Sequence, residues 1–352
     1  MSRLAMPKFL SVVVLSLLAC GSAMAADQDQ PDPKRPSVSE WLDRMALAVE
    51  TLDYRGTLVQ IRDGEMNAFE VIRRVDDQGI QERVYALNGP AQELVRDDDQ
   101  YQSTLSGSPR DWYRADLQNR LMAHQPLNQL ADLASAYELR LSGIDRVAGL
   151  EAQRIDIWPK DRFRYAQRLW LEKQTGMWLR SMVLDAEGRV LQEQGFVQLE
   201  LGATVTDSDL APQTKVVDTA PAQTAQQMEP PPEATPDVVT APAQVSGMLR
   251  PLWAPQQLPQ HFRLINASHG RSDVDTAFDH LLFSDGLTSF SVYIDHAPQH
   301  AVQTRLSAVG PVHILSGMMG QRQFTIMGQV PAQTVEFVGR QFLSAPKTDD
   351  RP

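Results

Sequence analysis

Six of the chain's seven histidines fall in its last third, at His261, His269, His280, His296, His300 and His313. Imidazoles gathered in this way are the residues that bind transition metals or change charge near neutral pH. A shared metal needs rings that converge. His296 and His300 have the spacing that a helix would place on one face, but Pro298 lies between them and opposes that helix. The spacing therefore predicts ordinary exposed or hydrogen-bonded histidines and no metal site. The paired carboxylates Asp76-Asp77 and the run Asp97 to Asp99 occupy predicted turns, where Asp accepts backbone hydrogen bonds. A catalytic pair would need burial to separate its two pKa values. Gly-x-Ser-x-Gly, His-Glu-x-x-His, the phosphate-binding and dinucleotide-binding glycine patterns and Cys-x-x-Cys are all absent from the chain. No enzyme is expected, and no catalytic residue or cofactor is assigned.

One stretch has a more specific chemistry. Along Lys160-Asp161-Arg162-Phe163-Arg164-Tyr165-Ala166-Gln167-Arg168, an extended strand would place Arg162 and Arg164 on one face and Phe163 and Tyr165 on the other. Guanidinium forks pair with phosphate oxygens, so Arg162, Arg164 and Arg168 are the candidates for a lipid or lipopolysaccharide headgroup. An ordinary hairpin with two core-facing aromatics accounts for the same alternation equally well.

The elements that position these residues follow from periodicity. Trp41, Leu42, Met45, Val49 and Leu52 share one helical face behind the capping candidates Ser37 and Ser39. The period then changes to two, with strands expected near 55–62, 66–75, 81–87, 92–96 and 101–105, separated by turns such as Asp63-Gly64 and Asn88-Gly89. A helix near 117–133 precedes strands near 137–147, 150–158, 164–173, 178–184 and 190–201. Such a series predicts an α+β fold: a strongly curved antiparallel sheet with covering helices. From about 204 to 246 the chain is rich in Pro, Ala, Thr and Gln without an aromatic residue, which reads as a linker. It separates an N-terminal domain, 36–203, from a smaller mixed α/β C-terminal domain, 247–345. Strands are expected there near 262–267, 279–284, 289–295, 311–316 and 322–328, followed by a helix over 331–341 that starts on Pro331.

Composition bounds the partners. Arg3 and Lys8, the apolar run Phe9 to Ala19 and the small residues Ala23-Met24-Ala25 read as a signal peptide over 1–25, with acylation at Cys20 as a less favoured alternative. Cleavage after Ala25 takes two cations and no acid away, so the net charge moves from −11 to −13. Such an acidic chain lacks the basic footprint of a nucleic-acid binder. No cysteine would remain after cleavage, so no intramolecular disulfide is expected.

Several segments carry a resemblance. Tyr54-Arg55-Gly56-Thr57-Leu58-Val59, Glu82-Arg83-Val84, Leu87-Asn88-Gly89-Pro90, Tyr137-Glu138-Leu139, Arg168-Leu169-Trp170-Leu171 and the hairpin Met182 to Leu191 recur in order in one family. Trp253 to Phe262, Phe283 to Val292 and Met327 to Pro331 continue the match. With them the chain resembles the sigma-E factor regulatory proteins of the RseB/MucB family. The resemblance implies a lipoprotein-carrier-like half-barrel followed by a smaller domain that contacts an anti-sigma factor. It further implies a periplasmic negative regulator that binds the periplasmic domain of a RseA/MucA-type anti-sigma factor, shields it from regulated proteolysis and is released by lipid or lipopolysaccharide. A periplasmic lipoprotein carrier or lipid-binding chaperone is the alternative, and a homo-oligomer is a further possibility. Candidates for partner contact are Trp253, Leu258, Pro259, Phe262, Phe283, Asp285, Gly286, Leu287 and Phe290. The large aromatics among them are also what a small domain needs to close its core, and that reading is favoured.

Overall fold

The computed structural model describes residues 36–89, 91–97, 100–103, 130–212, 253–271, 277–296 and 302–344. The expected signal peptide, Cys20, His300, most of the helix expected over 117–133 and the expected linker beyond residue 212 lie outside these residues.

The first helix, α1 (Val38–Thr51), starts where its sequence says it should. Ser37 accepts from the Glu40 N–H and Glu40 reaches back to the Ser37 N–H, a capping box, while Trp41, Leu42, Ala48 and Val49 face inward. Five strands follow, β1 (Tyr54–Arg62), β2 (Glu65–Asp76), β3 (Gly79–Ala86), β4 (Glu93–Asp97) and β5 (Gln100–Ser103). A short helix, α2 (Leu130–Ala136), leads into β6 (Tyr137–Val147), β7 (Leu150–Pro159), β8 (Ala166–Glu172), β9 (Trp178–Leu184) and β10 (Val190–Leu201). The ten strands form one antiparallel sheet in the order β5-β4-β3-β2-β1-β10-β9-β8-β7-β6. Two meanders are thus joined through their ends, β10 returning to lie against β1 with Tyr54 opposite Leu201 and Arg62 opposite Gln192. The sheet is open, with β5 and β6 at its edges.

Local chemistry fixes the turns. Asp63 and Gly64 both take positive φ, 52° and 79°, as a two-residue hairpin turn of the twisted type requires. Gly176 also has positive φ, and a β-carbon there would stand 2.8 Å from the Arg44 backbone, so α1 sits against this turn only because the residue is glycine. Two larger buried clusters fill most of the domain, one around Tyr54, Leu58, Trp170 and Phe196, the other around Trp41, Leu42, Tyr137, Ile155 and Leu171.

Residues just past 203, expected to open the linker, instead pack back on the sheet. Val205 and Leu210 are buried with Ile72 and Ala203, and Asp207–Leu210 form a short helix, α3. Arg55 Nη2 lies 2.7 Å from Asp209, and Arg83 donates to the Asp209 carbonyl at 3.1 Å. Apolar residues at 203, 205 and 210 cover the end of the sheet, so the polar composition around them does not free the segment.

The smaller domain contains β11 (Arg263–Arg271), β12 (Ala277–Ser284), β13 (Ser289–Asp295), β14 (Arg305–Val309), β15 (Val312–Met319) and β16 (Arg322–Gly328). They form a second antiparallel sheet in the order β11-β12-β13-β16-β15-β14, covered by one helix, α4 (Ala332–Leu343). Pro331 caps α4 one position before the first helical residue. Val335, Val338 and Phe342 enter the core, where Phe342 stacks on Phe324 at 5.3 Å between centroids.

Candidate functional site

The charged groups most withdrawn from water lie where the two sheets meet. On the side of the large sheet the chain bends at Lys160 to Tyr165 before β8 begins. Asp161 makes this bend by accepting the Phe163 N–H at 2.9 Å. The strand expected from residue 164 therefore starts at Ala166, and the expected alternation of Arg162 and Arg164 on one face does not form. Arg164 turns inward instead, with a side chain 0% exposed.

Its partners come from both domains. The guanidinium pairs with Asp161 of its own bend, with the carboxylate of Asp285 and with the Gln260 carbonyl. It lies 4.6 Å from the centre of the Phe262 ring and 5.7 Å from that of Tyr137. Burial alone would lower the pKa of Arg164, but the bond to Asp285 and the surrounding negative charge outweigh it and raise it. Asp285 is itself held on two sides. Its Oδ1 accepts from the Leu287 and Thr288 N–H groups at 3.0 and 2.9 Å, which closes the β12–β13 turn. Its Oδ2 accepts from Arg164 Nε and from the Tyr137 hydroxyl, the latter at 2.8 Å. Burial, and then the charge of Asp285, push the Tyr137 hydroxyl well above its ordinary value.

Apolar and neutral contacts surround this hub. Leu287 packs into the cluster of Trp41, Leu42, Leu133 and Tyr137. Phe163 packs on Phe337 at 5.3 Å, and Thr334 donates to the Phe163 carbonyl at 2.7 Å. The Ser135 hydroxyl lies 3.0 Å from His261 Nδ1, and the Tyr165 hydroxyl 3.3 Å from His313 Nδ1. A second contact joins the turns after β1 and β14, where the Gly310 N–H donates to Asp63 at 2.6 Å.

The sequence-derived candidates are distributed unevenly over this geometry. Of the three proposed headgroup residues, Arg162 is exposed and lies over the Phe163 ring at 5.4 Å. Arg164 is enclosed in the seam, with no face left for a headgroup. Arg168 donates from β8 to Asp156 at 2.7 Å. Burial would raise the Asp156 carboxyl, but bonds from Ser142 and Arg168 hold it below its ordinary value. Among the candidates for partner contact, Phe262, Phe283 and Phe290 are buried in the core of the smaller domain, and Trp253 and Leu258 pack against it. Pro259 is buried as well. Asp285, Gly286 and Leu287 serve the seam: Leu287 enters the neighbouring cluster, and a β-carbon on Gly286 would come within 3.8 Å of Leu133.

Sequence reasoning missed the roles of Tyr137, Gln260 and Thr334, whose partners are remote in the chain, and that of Asp161, which bends the chain at Phe163 and pairs with Arg164. It also missed two buried ion pairs of the large sheet, Arg73 with Glu82 at 3.0 Å and Arg83 with Glu93. Among the described residues no group of three or more His, Cys, Asp or Glu side chains could hold a metal ion, and no helix is long and apolar enough to cross a membrane.

An open ten-strand sheet that buries an ion pair against a second, smaller sheet defines a two-domain protein whose halves are fitted to each other. Comparison with known proteins specifies which kind. Models of the MucB/RseB N-terminal and C-terminal domains match residues 37–214 and 249–342, and the chain belongs to this family. It is 32% identical over 330 residues to the sigma factor AlgU regulatory protein MucB of Pseudomonas aeruginosa, covering 92% of this chain and 94% of that one. The sigma-E factor regulatory protein RseB of Haemophilus influenzae is 25% identical over 307 residues, 85% of this chain and 89% of its own. A crystal structure of MucB in complex with MucA(peri) superposes with a TM-score of 0.64 at 30% identity, covering 86% of this chain and 97% of that one. A structure of MucB alone gives 0.61 at 29% identity, covering 86% and 96%.

Proposed function

We propose that this protein acts in the periplasm as a negative regulator of an envelope-stress sigma factor of the sigma-E/AlgU type. It binds the periplasmic part of a membrane-spanning anti-sigma factor and shields that part from regulated proteolysis, so the sigma factor stays bound and inactive. Lipid or lipopolysaccharide releases the complex. The observation that carries this reading is the likeness across both domains to MucB, which has been crystallised with MucA(peri). Residues 1–25 are read as the export signal that brings the chain to the compartment where such a partner is exposed. Release has a thermodynamic condition, because a ligand shifts a complex only if it binds the free protein better than the bound one.

The test is a titration of the purified protein with the periplasmic segment of the host's anti-sigma factor, in the absence and presence of lipopolysaccharide. Binding that lipopolysaccharide weakens is the expected result. No binding under either condition, with lipid still bound, would overturn it in favour of a periplasmic lipoprotein carrier or lipid-binding chaperone.

A further inference from the structure

We propose that Arg164 and Asp285 form a two-state latch that holds the two domains as one body and releases them in a single step. This goes beyond the regulatory reading and needs nothing from it.

The pair is withdrawn from water on both sides, at 0% exposure for each side chain, and joins residues 121 positions apart in the chain. Its two members divide their bonding between domains. Asp285 uses Oδ1 to close its own turn, through Leu287 and Thr288, and aims Oδ2 across the seam at Arg164 and Tyr137. Arg164 is anchored at home by Asp161 and reaches across to Asp285 and the Gln260 carbonyl. Each ion therefore stays with its own domain when the domains part: Arg164 keeps Asp161, whereas Asp285 gives up both of its cross-seam donors, Arg164 and Tyr137, at the same moment and is left with the N–H groups of its own turn. A buried ion without its partner is strongly unfavourable until water reaches it. Both ionic side chains are fully enclosed while the seam is closed, with Leu287 packed into the cluster of Trp41 and Tyr137 and Phe163 on Phe337 beside them. Small separations thus leave the Asp285 carboxylate without counter-charge or solvent, and only the closed and the fully parted arrangements are stable. A ligand would open the latch only by binding the parted arrangement more tightly.

The second contact gives a reporter that the latch does not touch. The Gly310 N–H donates across the seam to Asp63, so its hydrogen exchange reads the parting of the domains. Asp285→Asn keeps the Oδ1 acceptor that closes the turn and presents an amide donor to Arg164; Arg164→Gln removes the charge from the other side. Exchange at Gly310 in the full chain should quicken at least about tenfold in either variant. The double variant should go no further than the faster single one, because both remove the same interaction. The Ile326 amide, inside the smaller sheet, should stay protected and show that this sheet remains folded. If Asp285→Asn fails to fold, Arg164→Lys, which keeps the charge without the fork, is read in the same way. Gly310 exchange within about twofold of the parent in the folded variants would overturn the latch. No anti-sigma segment enters the measurement, so that failure would leave the proposed function standing.

Discussion

At the scale of single residues the chain is governed by where carboxylates and guanidiniums find partners. Asp209 is the clearest titrating case. Hydrogen bonds from the Thr206 N–H, then from its hydroxyl, and then from Arg55 hold its carboxyl at about 2, below the ordinary 3.8. The folded state therefore binds this proton less readily than the unfolded chain does. The stabilisation is present above pH 3.8 and is lost as the pH falls from there to about 2. Asp209→Asn should flatten the fall of the urea midpoint across that window relative to the parent; equal slopes would show that the Thr206–Arg55 cage contributes nothing. The Thr206 side of the cage is a local Thr-x-x-Asp capping box, but no pattern in the sequence announces the Arg55 side, because Arg55 and Asp209 are distant in the chain and meet only through the fold. Arg164 shows the same limit more sharply. Its alternation with Phe163 and Tyr165 suggested a solvent-facing cation, but the Asx turn at Asp161 bends the chain there and turns the guanidinium toward Asp285. The sequence offers Asp285, Gly286 and Leu287 as candidates for contact with a partner; their place in the seam between the chain's own two domains is not legible in it.

At the scale of elements, period and turn chemistry carried most of the information. Gly-containing turns and alternating burial define β1 to β4, β6, β7, β9, β10, β13 and β16 within one or two residues of where the sequence puts them. β14 was not foreseen, since this five-residue edge strand is exposed or half-buried throughout and its apolar face, Leu306 and Ala308, is too short to signal it. The pairing of β1 with β10 was also invisible, because register between strands so far apart is set by packing and not by a turn. Helix α4 was legible from its apolar spacing, but its closeness to the sheet rests on Gly339, where an added β-carbon would stand 2.2 Å from Leu315 Cδ2. Gly339→Ala sets two effects against each other. Helix propensity favours alanine by about 1 kcal/mol, whereas overpacking a buried contact costs roughly 1–3 kcal/mol. Leu315 is only 5% exposed and has little room to move, so the second effect should win. A net loss of about 1 kcal/mol in chemical denaturation is expected, and a gain would mean that α4 can lift from the sheet freely.

At the scale of the whole molecule, the question is whether two domains with separate cores behave as one. Their sheets have no strand pairing in common, and the described residues from Gly202 to Leu210 belong to the larger sheet. Coupling must therefore come from the seam, and Leu287 is one of its apolar members: it leaves the smaller domain's turn and packs against the cluster of Trp41, Leu42 and Leu133 of the larger. Truncating a buried leucine costs about 2–5 kcal/mol where the site cannot collapse, and less where it is only half-buried, as here. The location of that loss matters more than its size. Leu287 contributes to neither sheet's own core cluster from within its own domain, so Leu287→Ala should leave each domain's intrinsic stability nearly unchanged and weaken only the term that makes them unfold together. Tryptophan emission is dominated by the larger domain, whose residues include Trp41, Trp112, Trp158, Trp170 and Trp178 against Trp253 in the smaller, whereas far-ultraviolet dichroism reports both. In the parent the two signals should trace one urea transition; in Leu287→Ala they should separate. Coincident curves in the variant would mean that the ionic hub and the remaining contacts of the seam suffice for the coupling without Leu287, and separate curves in the parent would mean that the seam does not join the domains thermodynamically at all.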